Sequence, residues 1–366
     1  MGWFGEEPGG LNRMYAGLLG GLEHQGVSVR GLVAGVETAA APPNVCFFER
    51  RDRSAARRLL SARRSFCAAL HSQSVEVVAA HFALYALPLL DLLRSRRFVF
   101  HFHGPWGCES RAEHEGPLSV AAKRVVESLV YRRADRFIVL SSAFADLLGR
   151  EYGIRHDRIF VVPGGVDSSR YAVRESRHEA RERFDLPHDR PLVVSVRRLI
   201  RRVGLEGLVD AIAEVRRRVP EALLLIAGRG PLEQQLRMRI ASRQLEDHVR
   251  MLGFVADEDL PLLYRACDVS IVPSVALEGF GLSAIESLAA GTPVLVTPVG
   301  GLPEVVGALD CSLVLPDSSA TSLADALSRA LSTPGGLPSP ERCARYARER
   351  FDWPVIARRV RTVYEH

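Results

Sequence analysis

The chain has almost no lysine. Of its 48 basic residues only Lys123 is not arginine, so a net charge of +5 against 43 acidic residues is carried by guanidinium groups spread along the sequence. Arginine can bind nucleic acid, but aromatics make up only 7% of the chain, none interleave with arginine runs, and no reader motif is present, which argues against that partner. Cysteine is scarce and scattered. The six residues, at 46, 67, 108, 267, 311 and 343, form no Cys-x-x-Cys pair, which removes a zinc finger and a disulfide framework from consideration. The sequence opens on no secretory leader and reads as cytoplasmic. Long apolar runs are missing too: the most apolar stretch, 75–93, is broken by Glu76, His81, Pro88 and Asp91, a poor bilayer span and a reasonable buried strand and helix. What is present is 366 residues with 47% hydrophobic content, enough for two domains with a core each.

The most informative stretch is Glu278-Gly-Phe-Gly-Leu-Ser-Ala-Ile-Glu286, followed by an Ala-Gly-Thr-Pro-Val strand and by Leu302-Pro303-Glu304. Gly279 and Gly281 bracket Phe280, so backbone N–H groups can approach an anion where a helix begins near Leu282 and Ser283. This pattern is a phosphate seat. Glu278 stands at its mouth and Glu286 lies further into the helix on a nearby face. Carboxylates beside a phosphate repel it, so they suit hydroxyls on either side of it, and a sugar nucleotide has hydroxyls on both sides. An ordinary amphipathic helix with solvated glutamates is the competing explanation.

Glu-x7-Glu followed by that strand resembles the donor site of GT-B retaining glycosyltransferases of family 4. The resemblance implies an α/β protein of two Rossmann-like doubly wound domains facing a cleft. Glu278 would hold the transferred sugar, Gly281 and Leu282 the distal phosphate with Gly279 and Phe280 beside them, and Glu286 the ribose. Arg197-Arg198-Leu199 up to Gly204 resembles the family's Gly-Arg-Leu, three variable residues, Lys-Gly diphosphate clamp. Arg198 fills the arginine position. Val203 stands where lysine is expected, which turns attention to Arg202 as the second positive charge. Gly9 and Gly10 correspond to a loop near the donor diphosphate, Gly228 to the Gly-x-Gly-Pro turn, and Phe254 with Val255 to the backbone facing the nucleobase. The His-Gly-Pro-Trp run beginning at His103 resembles one bacterial branch, in which the histidine reaches the donor sugar.

Independent of resemblance, 98–103 alternates with period two, with Phe98, Phe100 and Phe102 on one face and Val99, His101 and His103 on the other. His103 therefore ends a strand, where open parallel sheets bind ligands. His101 and His103 could be a metal pair, but no third ligand has convincing spacing; His81, ending the preceding strand, is a weaker candidate of the same kind. Asp257 and Asp259 form an Asp-x-Asp more simply explained as acids at a helix start. The arginines at 50, 51, 53, 57, 58, 63 and 64 suit a solvated helix face, or a peripheral contact with an anionic membrane at its inner surface.

These readings predict a first domain over 1–168 that binds the acceptor, a linker over 168–190, a donor-binding domain over 190–340, and a tail helix over 341–366 crossing back to the first domain. The expected function is retaining transfer from a nucleotide-diphosphate sugar to a glycan, lipid-linked or small-molecule acceptor, in bacterial polysaccharide or glycoconjugate synthesis. No cofactor or metal is called for. A non-catalytic GT-B protein that binds a sugar nucleotide or glycan is the alternative; a nucleotide-dependent oxidoreductase is remote, because no Gly-x-Gly-x-x-Gly follows a strand. The first domain is expected to lack its initial strand, since 1–8 offers no apolar run, and to show a gapped or distorted sheet, with the true start of translation upstream.

Overall fold

The computed structural model describes residues 10–37, 41–72, 74–333 and 335–365. The chain forms two compact units, one of residues 1–165 with 353–366, the other of residues 166–352.

In the first unit the strands are β1 (Gly31–Ala34), β2 (Val45–Glu49), β3 (Val77–Ala80), β4 (Arg97–Phe102), β5 (Arg136–Val139) and β6 (Ile159–Val161). All pair in parallel, as a β1-β2 ladder and a β3-β4-β5-β6 sheet; among the described residues no strand pairing joins the two. Residues 1–9, including Gly9 and any strand expected or excluded ahead of it, lie outside the described residues.

The two-residue alternation in β4 has a visible cause. Phe98, Phe100 and Phe102 enter a core with Tyr131, Phe137, Phe144 and Leu148, while Val99 on the opposite face enters a second core with Leu18, Leu22, Ile356 and Val360. A strand buried on both faces must be apolar throughout, so the two histidines in this run stand out. The second core is closed by helices Gly10–His24 and Trp353–Glu365. They approach closely because Gly17 has no side chain: a Cβ there would lie 2.1 Å from the Trp353 ring.

The second unit holds a five-stranded parallel sheet in the order β11-β10-β7-β8-β9. Its strands are β7 (Leu192–Val196), β8 (Leu223–Ala227), β9 (Val249–Gly253), β10 (Val269–Val272) and β11 (Val294–Val296), the first two with the bounds expected from sequence. Chain direction across the sheet reverses between β7 and β10, since β8 and β9 continue to one side and β10 and β11 to the other. That reversal is the switch point at which doubly wound sheets open a crevice beyond their C-terminal edge.

Several expectations are corrected. Residues 168–190 are no free linker: helices Ser168–Tyr171 and Arg177–Arg183 belong to the second unit, and Tyr171, Ala180 and Leu186 are buried there. Arg181, also buried, donates to the carbonyls of Ala266, His188 and Arg190 and pairs with Asp268 at 2.9 Å, a use of charge that composition alone disguises as linker polarity. The helix expected over 85–94 is one short turn, Ala83–Ala86, followed by 3-10 turns Leu87–Leu89 and Leu92–Ser95, because Pro88 breaks the i to i−4 ladder. The helix expected over 113–133 begins at Pro117 and runs to Arg133; ahead of it lies an unforeseen helix, Trp106–Ala112, and His114 at φ 62 and the Gly116-Pro117 step separate the two. β2 was not foreseen, and the helix placed from Glu49 begins at Ala55. The expected strand near 312–315 is a 3-10 turn, Cys311–Leu313, with one bridge from Val314 to Val296. The tail is two helices: Pro340–Phe351 in the second unit and Trp353–Glu365 in the first.

In the basic helix Ala55–Ser72, Arg57 pairs with Glu49 at 2.8 Å, Arg63 with Asp91 at 2.6 Å, and Arg58 donates to the Tyr85 hydroxyl at 2.8 Å. Among the described residues no helix is long and apolar enough to cross a membrane.

Candidate active site

Two constellations stand out, one in each unit. In the second unit every residue singled out from the sequence follows the C-terminal end of a strand or lies on the helix after β10. Helix Leu282–Ala289 has Gly281 as its N-cap, at φ +88, with no side-chain cap on its first N–H groups. That conformation favours glycine, and a Cβ at Gly281 would also lie 2.4 Å from Leu302. Uncapped N–H groups with the positive end of the helix dipole behind them form an anion seat. Phe280 faces inward, 3% exposed, against the edge of Phe351.

Glu278 is fixed from two directions. Its backbone carbonyl accepts from Gly301 at 3.0 Å, and the neighbouring Gly300, at φ +58, passes so close that a Cβ there would be 1.8 Å from that same oxygen. Its Oε2 accepts from Ser274 Oγ at 2.8 Å and from Arg197 Nη2, both charged side chains being 12% exposed. Arg197 also donates to Ser274 at 3.1 Å and to Ser283 Oγ, in the first turn of the helix, at 3.2 Å. Burial pushes the Glu278 carboxyl up, but the charge on Arg197, the hydrogen bonds from Ser274 and Arg197, and the charge on Arg202 outweigh it and hold the group below its ordinary value. Glu278 is thus an ionised acceptor with one oxygen anchored. Arg197 follows β7 and Ser274 follows β10, so this pair straddles the switch point.

The clamp differs from the family pattern in an informative way. Val203 is 3% exposed and belongs to the core. Arg202 donates to the Leu277 carbonyl at 3.1 Å, and its own carbonyl accepts from Val275 at 2.9 Å, so it lies along the loop that carries Glu278. Arg198 is exposed, and its guanidinium has no partner among the described residues. Gly228, at the end of β8, donates to the Gly253 carbonyl at 2.6 Å. Beyond β9, Phe254 is 49% exposed with Arg229 over its ring at 5.8 Å, and Val255 is half-buried. Glu286 is 5% exposed and engaged within the protein. Sequence reasoning passed over Arg197 and Ser274; the signal for Arg197 was a charged residue in the glycine position of the Gly-Arg-Leu pattern.

In the first unit, β3 pairs with β4 so that Ala80 faces Phe100, which carries His81 alongside His101. Three imidazoles gather. His81 Nδ1 lies 2.9 Å from His103 Nε2, His101 Nε2 lies 2.7 Å from the Tyr364 hydroxyl, and the rings of His81 and His101 stack at 4.2 Å. Burial pushes the His103 imidazole down to about 3; burial first, and then the neighbouring rings, hold His81 and His101 well below their ordinary value. All three are neutral near pH 7. After His103 the chain turns into helix Trp106–Ala112, whose first N–H groups are held by buried Glu127: its oxygens accept from Trp106 N at 2.7 Å, Gly107 N at 3.1 Å and the Tyr152 hydroxyl at 2.6 Å. Glu127 was not anticipated, since nothing near it in sequence marks it. Gly10 begins helix Gly10–His24.

Two groups among the described residues bring three potential metal ligands together: His81 with His101 and His103, and the exposed His178, Glu182 and His188. The third ligand that spacing did not supply to the histidine pair is His81, brought from a neighbouring strand. Asp257 and Asp259 belong to neither group; Asp259 precedes helix Leu260–Ala266 and pairs with Arg183 at 3.5 Å.

Comparison with known proteins agrees with this architecture. A family model described as Glycosyl transferases group 1 matches residues 176–350, and one described as Glycosyltransferase Family 4 matches residues 8–170. A mannosylfructose-phosphate synthase from Agrobacterium fabrum is 37% identical over 186 residues, 48% of this chain and 40% of that protein. A 2-deoxystreptamine glucosyltransferase from Streptomyces kanamyceticus is 32% identical over 243 residues, 66% of this chain and 61% of that one. The aligned parts thus span less than two thirds of these relatives' lengths. Among solved structures, sucrose-phosphate synthase from Thermosynechococcus elongatus superposes with a TM-score of 0.80 at 24% identity, over 98% of this chain and 94% of that one. Anabaena HepE bound to UDP and glucose superposes with a TM-score of 0.79 at 20% identity, over 98% and 97%. The chain has the GT-B fold and belongs to the family 4, group 1 glycosyltransferases.

Proposed function

We propose that this protein is a retaining, metal-independent glycosyltransferase that moves a hexosyl group from a nucleotide-diphosphate sugar to a hydroxyl of a glycan, lipid-linked or small-molecule acceptor. The observation that carries the reading is the meeting, at the switch point of the second unit's sheet, of an uncapped helix N-terminus, Arg197, Arg202 and an ionised Glu278. Cleavage of a glycosyl–phosphate bond leaves negative charge on the diphosphate. The amides at Gly281 and Leu282, with Arg198 and Arg202, would stabilise it as it develops. Glu278, anchored through Oε2, offers Oε1 to the sugar's hydroxyls; Glu286 serves the ribose, and the backbone at Phe254 and Val255 serves the base. His103 is assigned to the transferred sugar on the strength of the family resemblance. Attack comes from the leaving-group side, with the departing phosphate taking the acceptor's proton. Two relatives support the class, one named as a glucosyltransferase and one as a synthase of a mannosyl sugar phosphate.

A second reading, a GT-B protein that binds a sugar nucleotide without turning it over, draws support from Arg197, which already occupies one oxygen of Glu278. Release of nucleoside diphosphate from UDP-glucose and GDP-mannose, supplied with and without simple sugar acceptors, separates the two. Turnover abolished by Glu278→Ala is the expected result; tight binding of UDP or GDP with no release from any nucleotide sugar would establish the binding-only reading.

A further inference from the structure

We infer that His81 is a positioning residue that occupies Nε2 of His103, locks that ring in one tautomer, and leaves Nδ1 as the atom His103 offers to a ligand. The inference rests on the glycosyltransferase reading for its chemistry and on geometry for the rest.

The contact is a hydrogen bond along the ring plane. The N···N distance is 2.9 Å, the ring centroids are 5.2 Å apart and the planes differ by 13°, so the two imidazoles meet end to end, not face to face. Both rings are neutral because burial disfavours the imidazolium, so one nitrogen of the pair donates and the other accepts. That choice settles the state of the remaining nitrogen of His103, because a neutral imidazole carries one proton only. The remaining nitrogen, Nδ1, is buried and has no hydrogen-bond partner among the described residues. A polar atom left so inside a protein is costly unless something completes it.

His81 is itself held. His101 stacks on it at 4.2 Å with planes 19° apart, Tyr15 meets it edge-on at 5.0 Å, and His101 is tied through Nε2 to Tyr364. The ring cannot turn without disturbing this stack, so the orientation of His103 is passed along a chain of aromatic contacts reaching helix Trp353–Glu365. The same geometry argues against reading the trio as a metal tripod. His81 Nδ1 and His103 Nε2 point at each other across 2.9 Å, which leaves no room for an ion that both nitrogens ligate.

Imidazole nitrogen spectra of the ¹⁵N-labelled full chain test this directly. At pH 7 the native protein should show His103, assigned by its loss in His103→Gln, as a single tautomer with one pyrrole-type and one pyridine-type nitrogen. His81→Leu should collapse the two toward a common averaged shift. His81→Asn, whose amide can stand where Nδ1 stood, should keep them apart. With UDP-glucose or GDP-mannose as probe, His81→Leu should lower kcat by about 10-fold to 100-fold, by analogy with removal of the partner that orients a metal-bound histidine, with KM little changed. His81→Asn should recover most of that loss. An averaged His103 in the native chain, or an unchanged one in His81→Leu, overturns the assignment whether or not any sugar is transferred. If neither donor turns over, the spectra alone decide, and the functional reading fails separately. Should His81→Leu not fold, loss of the single tautomer in folded His81→Asn overturns it, as does uptake of one equivalent of zinc by the native chain that His81→Asn abolishes.

Discussion

The pair formed by Arg197 and Glu278 can be weighed by a double-mutant cycle. Both side chains are 12% exposed, the carboxylate is held by Ser274 as well, and the guanidinium reaches two serines. Glu278→Gln leaves Arg197 buried without its counter-ion, and Arg197→Met leaves Glu278 with only one hydroxyl against the cost of burial. Removing one member of a fully buried pair costs about 3 to 5 kcal/mol, and the residual exposure and remaining serines bring the expectation to about 2 to 4 kcal/mol for each single variant. The double variant should be less destabilised than the sum, with a coupling of about 2 kcal/mol, because it leaves no orphaned charge. Two units make a single unfolding midpoint ambiguous, and the tryptophans among the described residues, Trp106 and Trp353, both lie in the first unit. Hydrogen exchange read at the amides of β7 and β10 is local to the second unit and is the appropriate assay. Additive losses, within about 0.5 kcal/mol, would show that the two side chains do not stabilise each other and would remove the argument that Arg197 sets the charge state of Glu278.

Acid should destabilise the first unit well before its carboxylates protonate. His81, His101 and His103 have folded values depressed below about 6.5, so their contribution is present above that pH and is lost as pH falls, by up to about 1.4 kcal/mol per pH unit for each ring; tryptophan-monitored urea unfolding that is flat between pH 7.5 and 5 would contradict this. Glu286→Ala should weaken UDP or GDP binding by about 1 to 3 kcal/mol, whereas Glu278→Ala should spare nucleotide binding and abolish turnover; calorimetry with the bare nucleotides and the release assay distinguish the two roles. Activity should survive EDTA while Arg198→Ala is severely impaired, and complete loss on chelation, reversed by added metal, would restore Asp257 and Asp259 as candidates. Val203→Lys should not strengthen nucleotide binding and should lower stability, since the position is 3% exposed and would bury an ammonium group; tighter UDP or GDP binding by that variant would mean the lysine reaches the anion after all.

Much of the fold was legible because buried parallel strands announce themselves. Leu192–Val196, apolar except for Ser195, and Leu223–Ala227, apolar throughout, are bounded by charged or glycine-rich turns and emerge with the bounds the pattern suggests. The residues from 168 to 190 misled for the opposite reason. Their arginines, glutamates and histidines look like solvent-facing linker, yet Arg181 is buried because four carbonyls and Asp268 complete its guanidinium. Composition counts charges without seeing their partners. Elsewhere local chemistry was enough: Ser141 caps helix Ser142–Tyr152 by accepting from Phe144 N, as a serine before an apolar periodic run should.

The donor site was legible only as far as sequence register equals spatial register. Counting along the family pattern assigns the second cation to position 203, but residues 201–203 form a 3-10 turn that ends at Gly204, φ +79. In so tight a turn successive side chains diverge by about a third of a revolution, so neighbours cannot share a face. Position 203 points to the core, where only an apolar side chain is tolerated, and position 202 runs along the loop bearing Glu278. Under the proposed reading the second positive charge falls to Arg202, one residue earlier, and Arg197 adds another from a position where the pattern has no side chain at all. A lysine reading of this clamp would find it half empty. In a chain where arginine carries nearly all the basic charge, Arg197 brings to Glu278 an ion pair that a glycine at that position could not supply.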